Sequence, residues 1–267
     1  MRSVFVVTKE LLTNIKRINR VALYELLIKG KDGVAGYFWI WLNPAFQIFI
    51  YAFIFMSGIR RTTDMEGISY FYWMIPGFIV WIFSSGTVVA ASRSILAKIT
   101  TVTKMKFPLS ALPVVTVINN LYIHLMLLAT VFVILFVGGF QFNLYMIQII
   151  YYLFATVCFL IAISIFTSSI TTVVRDFQHV VYNSIRMIFF CTPILFTENF
   201  EGALMTATRC NPFAYLVIGY RQSLVLYSNT LLMDFQRGII FWGVVLVLYF
   251  VGSILHIKMR KNVLDYA

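Results

Sequence analysis

The stretch VVRDFQHVVYNSIRMIFFCTPILF, residues 173–196, decides how the rest of the chain is organised. After the charged pair Arg175 and Asp176, residues 180–196 form an apolar run of 17 residues, which crosses roughly 30 Å of hydrocarbon only when nearly upright. The run contains Arg186, a charge that at membrane depth is unfavourable by at least about 2.5–3.5 kcal/mol. Arg186 is therefore expected to face a bundle interior, a wet cavity or, by snorkelling, the interface. Pro193 ends or kinks the helix.

The composition indicates an integral membrane protein. Apolar residues make up 61% of the 267 residues and charged residues only 12%, against about 25% charged in soluble domains. The cysteines, Cys158, Cys191 and Cys210, are odd in number and scattered, which predicts packing residues and neither a disulfide framework nor a metal site.

Residues 1–33 are predicted to form an amphipathic helix in the membrane interface. An apolar stripe repeats at the three-and-four spacing of one helical face: Leu11, Ile15, Ile18, Ala22 and Leu26. Four cations fall largely off this stripe: Lys9, Lys16, Arg17 and Arg20. The segment lacks the apolar core and cleavage site of a signal peptide. The anionic inner leaflet is the favoured contact, and a soluble partner protein is the alternative.

Six apolar segments follow, at residues 34–59, 69–91, 114–137, 144–172, 180–196 and 239–257. Each is predicted to be a spanning helix, because backbone groups in lipid must be paired internally and no alternating barrel pattern is visible. With the N-terminus inside, the cytoplasmic segments carry 15 Lys and Arg residues and the outer segments 5. This bias predicts one six-span domain over residues 34–267, with both termini cytoplasmic. It also accounts for the net charge of +11 without nucleic acid.

Residues 198–237 are predicted to dip into the membrane from the outer face. The part from 212 to 226 is apolar enough to enter lipid, yet Gly219 and Arg221 interrupt it. A seventh span would place the cations after residue 257 outside and break the positive-inside rule. We therefore expect one or two re-entrant helices between spans five and six, beside a channel mouth, since irregular backbone at that depth needs protein or water around it.

The absence of certain residues and motifs from the sequence distinguishes between carriers, enzymes and ATP-binding proteins. All ten acidic residues lie outside the six predicted spans, which weakens a proton- or sodium-coupled carrier. No serine elbow, paired-histidine zinc motif or phosphate-binding G-x-x-x-x-G-K is present. His124 is interpreted as a helix-packing hydrogen-bonding residue. Any ATP must therefore be handled by another chain.

Five groups of residues carry a resemblance to a known family, and they occur in family order: Tyr24-Glu25-Leu26 and Lys31-Asp32 with Gly36-Tyr37-Phe38-Trp39 and Leu42-Asn43-Pro44; Lys106-Phe107-Pro108 with Leu112-Pro113; Arg175-Asp176-Phe177; Thr192-Pro193-Ile194; and Asn211-Pro212-Phe213 with Gly219-Tyr220-Arg221. From about residue 20 to its end the sequence resembles the ABC-2 type permeases that export cell-surface polysaccharides. Within that family it is most similar to the teichoic-acid translocation permeases, which export a cell-wall polymer.

The resemblance implies an ABC transporter of the bacterial plasma membrane in which two copies of this chain pair and two ATP-binding subunits dock below. This chain is then expected to be a transport subunit that is not an enzyme and carries no cofactor, with ATP and Mg on the partner subunits. A lipid-linked polysaccharide would pass outward between the copies, and a symmetric dimer encloses a wider pore than six helices alone. The aromatic content of 17% suits stacking on sugars, although Phe side chains serve equally well as lipid-facing residues. The alternative function is a stand-alone six-span channel or carrier for a small solute.

Three sets of site residues are predicted. The cytoplasmic loop 92–113, with a short helix over residues 94–105, is expected to couple to the ATPase, and a basic loop held by membrane lipid is the alternative. Its coupling residues are Ile95, Ile99, Val102, Lys104, Lys106, Phe107 and Pro108. A cationic entrance for the anionic head group of the substrate comprises Arg17, Arg20, Arg175 and Arg186. An outer exit gate comprises Phe213, Tyr215 and Tyr220.

Overall fold

A computed structural model describes residues 2–31, 36–54, 67–102, 107–196, 208–228 and 235–264. The helices, in chain order, are α1 (Arg2–Thr13), α2 (Ile15–Lys29), α3 (Gly36–Ile54), α4 (Tyr70–Ser92), α5 (Ser94–Val102), α6 (Ala111–Val137), α7 (Gln148–Val173), α8 (Phe177–Phe190), α9 (Pro212–Arg221) and α10 (Phe235–Leu264). A 3₁₀ turn, Leu144–Ile147, precedes α7, and a π-helical turn, Gln222–Leu226, extends α9. These ranges contain no β-strand, which confirms the all-helical class.

Four helices of the described ranges are long and apolar enough to cross a membrane. They are α4, α6, α7 together with its preceding 3₁₀ turn, and α10, with lengths of 23 to 30 residues in the apolar stretches. Predicted spans two, three, four and six are therefore confirmed as long apolar helices. The first predicted span corresponds to α3, which has 19 residues, while residues 55–59 lie outside the described ranges.

The fifth predicted span is shorter than the sequence suggested. Instead of filling residues 180–196, α8 begins at Phe177 and ends at Phe190, and its 14 residues reach about 21 Å at 1.5 Å each. The helix stops because Pro193 lacks an N–H and its ring disfavours a helical residue before it. The backbone turns instead, and the N–H of Ile194 donates to the Thr192 carbonyl over 2.7 Å.

Helix α4 lies at the centre of the main core. Side chains such as Trp73, Phe78 and Ile79 on α4 are almost fully buried in the core that α4 forms with α6, α7 and α9. In a bilayer such packing stabilises through close van der Waals contact, because lipid tails are as apolar as the side chains themselves. Of the four long apolar helices, α4 thus has the largest buried share, and other helices surround it.

The N-terminal segment folds back on the bundle as two helices. Ile18 and Ala22 of the predicted stripe are buried against Val114 and Val115 of α6, as the periodicity indicated. Ile15 departs from the prediction, since its side chain is 59% exposed. The apolar stripe is interrupted because the helix ends before Asn14 and a new helix, α2, begins after it.

Helices α7 and α10 approach most closely at Gly252. A Cβ added to Gly252 would lie 3.0 Å from the backbone nitrogen of Phe166, so only glycine fits without a shift of one helix. Gly243, on the same helix, has open space around it within 4 Å. The two glycines thus form a matched pair in one helix.

We predict that Gly252→Ala destabilises the protein by about 1–3 kcal/mol, because overpacking moves the backbone of a rigid contact. Gly243→Ala should be neutral or stabilise by up to about 1 kcal/mol, since alanine favours helix and meets no neighbour. The measurement is thermal unfolding of both variants in the same detergent. Equal melting temperatures would contradict the close packing of α7 on α10.

Candidate functional site

Helix α9, the central part of the predicted re-entrant segment, runs antiparallel to the first half of α4. Phe213 contacts the Trp81 ring at a centroid distance of 5.5 Å, and Arg221, two turns later, lies over the Trp73 ring at 3.4 Å. Asn211 caps the helix, because its Oδ1 accepts a hydrogen bond of 3.0 Å from the Phe213 N–H. The short helix is thus buried alongside a spanning helix and is covered by protein.

Arg221 is a buried cation, with only 4% of its surface exposed. Its Nε donates to the Trp73 carbonyl over 3.1 Å, and its Nη2 donates to the carbonyls of Pro193 and Ile194 over 2.9 and 3.1 Å. The guanidinium also stacks on the Trp73 indole, which adds a cation–π contribution. Arg221 therefore ties α9 to α4 and to the irregular segment after α8.

Three side chains together hold the irregular segment that follows α8. Besides the two carbonyls bound by Arg221, the Leu195 carbonyl accepts from the Tyr70 hydroxyl over 3.1 Å. The Cys191 carbonyl accepts from Asn211 Nδ2 over 3.3 Å, and the same amide donates to Thr192 Oγ1 over 2.9 Å. Non-helical backbone is stable inside a membrane protein only when its polar groups are paired in this way.

Sequence reasoning named Arg221 as an interruption of the apolar stretch and as part of a family motif, but it assigned no role to this side chain. The signal was present, because Arg221 stands in an apolar stretch just as Arg186 does. Sequence alone gave no direction to either side chain. The structure buries Arg221 and leaves Arg186 exposed, with its guanidinium 4.5 Å from the centroid of the Tyr182 ring.

The predicted exit-gate residues, Phe213, Tyr215 and Tyr220, all lie within the aromatic core of the chain. The Tyr215 ring stacks on Phe241 at 4.7 Å, and its hydroxyl shares a hydrogen bond of 3.1 Å with that of Tyr151. The helix approaches α7 closely at Gly219, where an added Cβ would lie 2.1 Å from the Tyr152 ring. In this conformation the three side chains are packed in the core. Their role as an exit gate stays a prediction.

His124 has the packing role that the sequence indicated. Its Nε2 shares a hydrogen bond of 3.0 Å with the Tyr220 hydroxyl, and its ring stacks on Phe83 at 4.5 Å. His124 also lines a pocket of about 390 Å³ between α3, α4 and α6, together with Asn43 and Asn120. A mostly apolar pocket with a few polar groups is the general form of a ligand site.

The outward faces of α3 and α8 are polar and aromatic. On α3 the exposed rings of Phe46, Phe49 and Phe53 form a row with centroid distances of 6.5 and 6.3 Å. On α8 the exposed side includes Asn183 and Arg186. Polar groups facing acyl chains are unfavourable, so the α8 face needs protein or water against it.

The four predicted entrance arginines are exposed but lie on different parts of the molecule. Arg17 and Arg20 belong to α2, which packs on α6, whereas Arg175 and Arg186 belong to the α7–α8 turn and α8, next to α4 and α7. Within the part of the chain that the structure describes, no contact joins the two pairs. Their convergence on a head group stays a prediction.

The predicted coupling helix exists as α5, Ser94–Val102, but its orientation corrects part of the prediction. Ile95 is buried against Leu112 and Met259 of its own chain, so it is not available to a partner. Phe107 is half-buried at the same cluster, and Pro108 is also half-buried. The side chains of Ile99 and Val102, and the whole of Lys104 and Lys106, lie outside the described part of the chain. The exposed side of α5 includes Arg93, just before the helix, and Ala97.

Ion pairs connect the N-terminal helices to both α5 and α10. Glu25 of α2 pairs with Lys98 of α5. Glu10 of α1 pairs with Arg260 over 2.6 Å and accepts a hydrogen bond from the Ser110 hydroxyl over 2.7 Å. These contacts place α1, α2 and α5 at one end of the bundle as a connected unit.

A second polar contact joins the end of α2 to α6. Lys29 Nζ donates to Asn119 Oδ1 over 2.9 Å, and Asn119 Nδ2 donates to the Ala22 carbonyl over 2.9 Å. Burial lowers the pKa of the Lys29 ammonium below its ordinary value, while the nearby Glu25 carboxylate acts in the opposite direction. Asn119 thus serves helix packing, as expected of an amide inside an apolar helix.

The sequence is similar to permeases of polysaccharide export systems. It is 25% identical over 200 residues to the O-antigen export system permease protein RfbA of Myxococcus xanthus, covering 74% of this chain and 75% of the relative. It is 26% identical over 235 residues to a protein of the same description from Klebsiella pneumoniae, covering 87% and 85%. No protein-family model matches the chain. These relatives and the four long apolar helices agree with a multi-pass protein of the bacterial inner membrane.

We predict that Arg221→Met destabilises the protein by about 2–6 kcal/mol, because an unpaired buried carbonyl is unfavourable by about 1–3 kcal/mol and the carbonyls of Pro193 and Ile194 would lose their donor. Arg186→Met, at an exposed position, should change stability by no more than about 0.5 kcal/mol. Thermal unfolding in detergent compares the two variants. Similar losses at both positions would contradict the role of Arg221 as the buried tie.

Proposed function

We propose that this chain is the membrane permease subunit of an ATP-driven exporter that moves a lipid-linked cell-surface polysaccharide outward. The observation that carries this proposal is the similarity to O-antigen export permeases, which extends over 74–87% of the chain. Because those relatives are subunits of export systems, a stand-alone channel or carrier for a small solute is disfavoured. Hydrolysis of ATP would then take place on a separate chain.

The proposed assembly contains two copies of this chain. In lipid, the exposed Asn183 and Arg186 of α8 would each be unfavourable, Arg186 by at least about 2.5–3.5 kcal/mol. A second copy, or a water-filled path between copies, removes this penalty.

The proposed topology has six membrane-crossing segments and cytoplasmic termini. Helices α3 and α8 supply the first and fifth, and the irregular chain after α8 completes the fifth beside α9. The distribution of Lys and Arg supports this orientation. Helix α9 would then be a re-entrant helix from the outer face, whose aromatic side chains, Phe213, Tyr215 and Tyr220, close the exit between transport cycles.

The class of polymer proposed is a lipid-linked cell-surface polysaccharide. The relatives are named for O-antigen export, and teichoic acid remains a narrower prediction from the sequence motifs. An anionic phosphate on the lipid carrier would suit the exposed arginines, because guanidinium binds phosphate in a bidentate way.

The first test is purification of the tagged chain from its own membranes, which should bring down an ATP-binding subunit. We place the docking surface on the exposed side of α5, so Ala97→Glu should lower the recovered subunit at least about tenfold by placing an unpaired charge in the contact. Arg175→Glu, on the exposed α7–α8 turn, is the matched control and should leave recovery unchanged. The reverse pattern would assign docking to that turn, and recovery of no ATP-binding subunit would contradict the proposed function.

The second test concerns Arg186. We predict that Arg186→Gln lowers export of the polymer about tenfold or more at equal protein level, because a charge-assisted hydrogen bond to phosphate contributes about 1.5–3 kcal/mol. Lys258→Gln removes an exposed charge on α10, away from α8, and should export normally. Surface polysaccharide is measured with a specific antibody or lectin. Unchanged export by Arg186→Gln would remove Arg186 from the substrate path.

A further inference from the structure

A groove of about 750 Å³ lies between the N-terminal helices and the membrane bundle. One wall is formed by α1 and α2, with Leu12 and Ile15, and the other by α6, α7 and α10, with Ile118, Val157 and Ile161. The volume falls within the roughly 300–1,000 Å³ of small-ligand sites. Leu12 and Ile15 are 65% and 59% exposed, so the groove is open along its side.

The polar groups that line the groove are already paired, with one exception. Thr8 Oγ1 and the Tyr249 hydroxyl share a hydrogen bond of 2.9 Å, and Asn19 Oδ1 accepts one from Tyr122. Lys16 is exposed at the groove and has no partner among the described residues. A ligand that fits would therefore have a long apolar body and an anionic head.

The charge around the groove points to the same ligand. The acidic residues of α1 and α2 are Glu10 and Glu25, and both are held by ion pairs with Arg260 and Lys98. Four exposed cations of these helices, Lys9, Lys16, Arg17 and Arg20, have no ion pair within the described part of the chain. Each exposed Lys or Arg near an anionic membrane surface contributes about 1 kcal/mol of attraction.

We propose that this groove binds one acyl chain of an anionic membrane phospholipid, with the phosphate on Lys16. The spanning helices α6, α7 and α10 place the groove in contact with the bilayer, where acyl chains are abundant. Such a lipid fills the gap between α1–α2 and the bundle and holds these helices against it. The site is separate from the α3 and α8 faces, and it does not depend on the proposed transport function.

Native mass spectrometry of the purified full-length chain tests the proposal, with phosphatidylglycerol and phosphatidylcholine added to delipidated protein. We expect one phosphatidylglycerol per chain, retained about fivefold more strongly than phosphatidylcholine, the factor that one cation near an anionic surface supplies. Lys16→Ala should remove this preference. Lys9→Ala, an exposed cation that does not line the groove, should keep it.

A second measurement locates the apolar chain. Phosphatidylglycerol with a photoreactive tail should cross-link to peptides of α6 and α7 that line the groove, and Val157→Phe, which fills the groove, should reduce this labelling severalfold. Ile150→Phe, 67% exposed on the same helix away from the groove, should leave it unchanged. Equal retention of both phospholipids, or equal effects of Lys16→Ala and Lys9→Ala, would overturn the proposal. Displacement of phosphatidylglycerol by an isoprenoid phosphate at equal concentration would instead assign the groove to the transported lipid.

Discussion

Inside a bilayer, a backbone carbonyl without a donor is unfavourable by several kcal/mol, and the structure depends on how this requirement is met after α8. Pro193 ends that helix within the protein, and the following carbonyls turn away from helical pairing. Arg221, Asn211 and Tyr70 donate to them from α9 and α4. Two of these three side chains belong to the short helix α9: Arg221 is its last residue and Asn211 is its N-cap. Burial of α9 at this position therefore brings these donors to the carbonyls.

The same requirement gives two arginines opposite surroundings. Arg221 is satisfied within one chain by three carbonyls and an indole ring. Arg186 faces outward beside Tyr182, where one chain supplies only an aromatic face. A single copy therefore pairs the backbone carbonyls that follow α8 and leaves Asn183 and Arg186 of α8 exposed. The exposed arginine is the strongest physical reason to expect a second copy or a water-filled path against α8.

Sequence patterns predicted the elements whose structure follows from local composition. Hydropathy located α4, α6, α7 and α10, and apolar spacing identified the buried face of α2 at Ile18 and Ala22. Tertiary contacts decided the rest. Ile95 has the spacing of a docking face, yet it packs against Met259, a residue 164 positions away along the chain, which periodicity does not reveal. Likewise, hydropathy extended α8 to residue 196, because apolar residues continue after the helix itself has stopped at Pro193.

We propose that the outward face of α8 is covered by a second copy of this chain. Cross-linking in native membranes tests it most directly, using Met187→Cys, 71% exposed on that face, in a chain whose Cys158, Cys191 and Cys210 are replaced by serine. Bis-maleimide reagents of increasing length should give a cross-linked dimer from Met187→Cys. Ile150→Cys, exposed on α7, should remain monomeric under the same conditions. Equal cross-linking at both positions, or none at residue 187 with any reagent, would contradict the account.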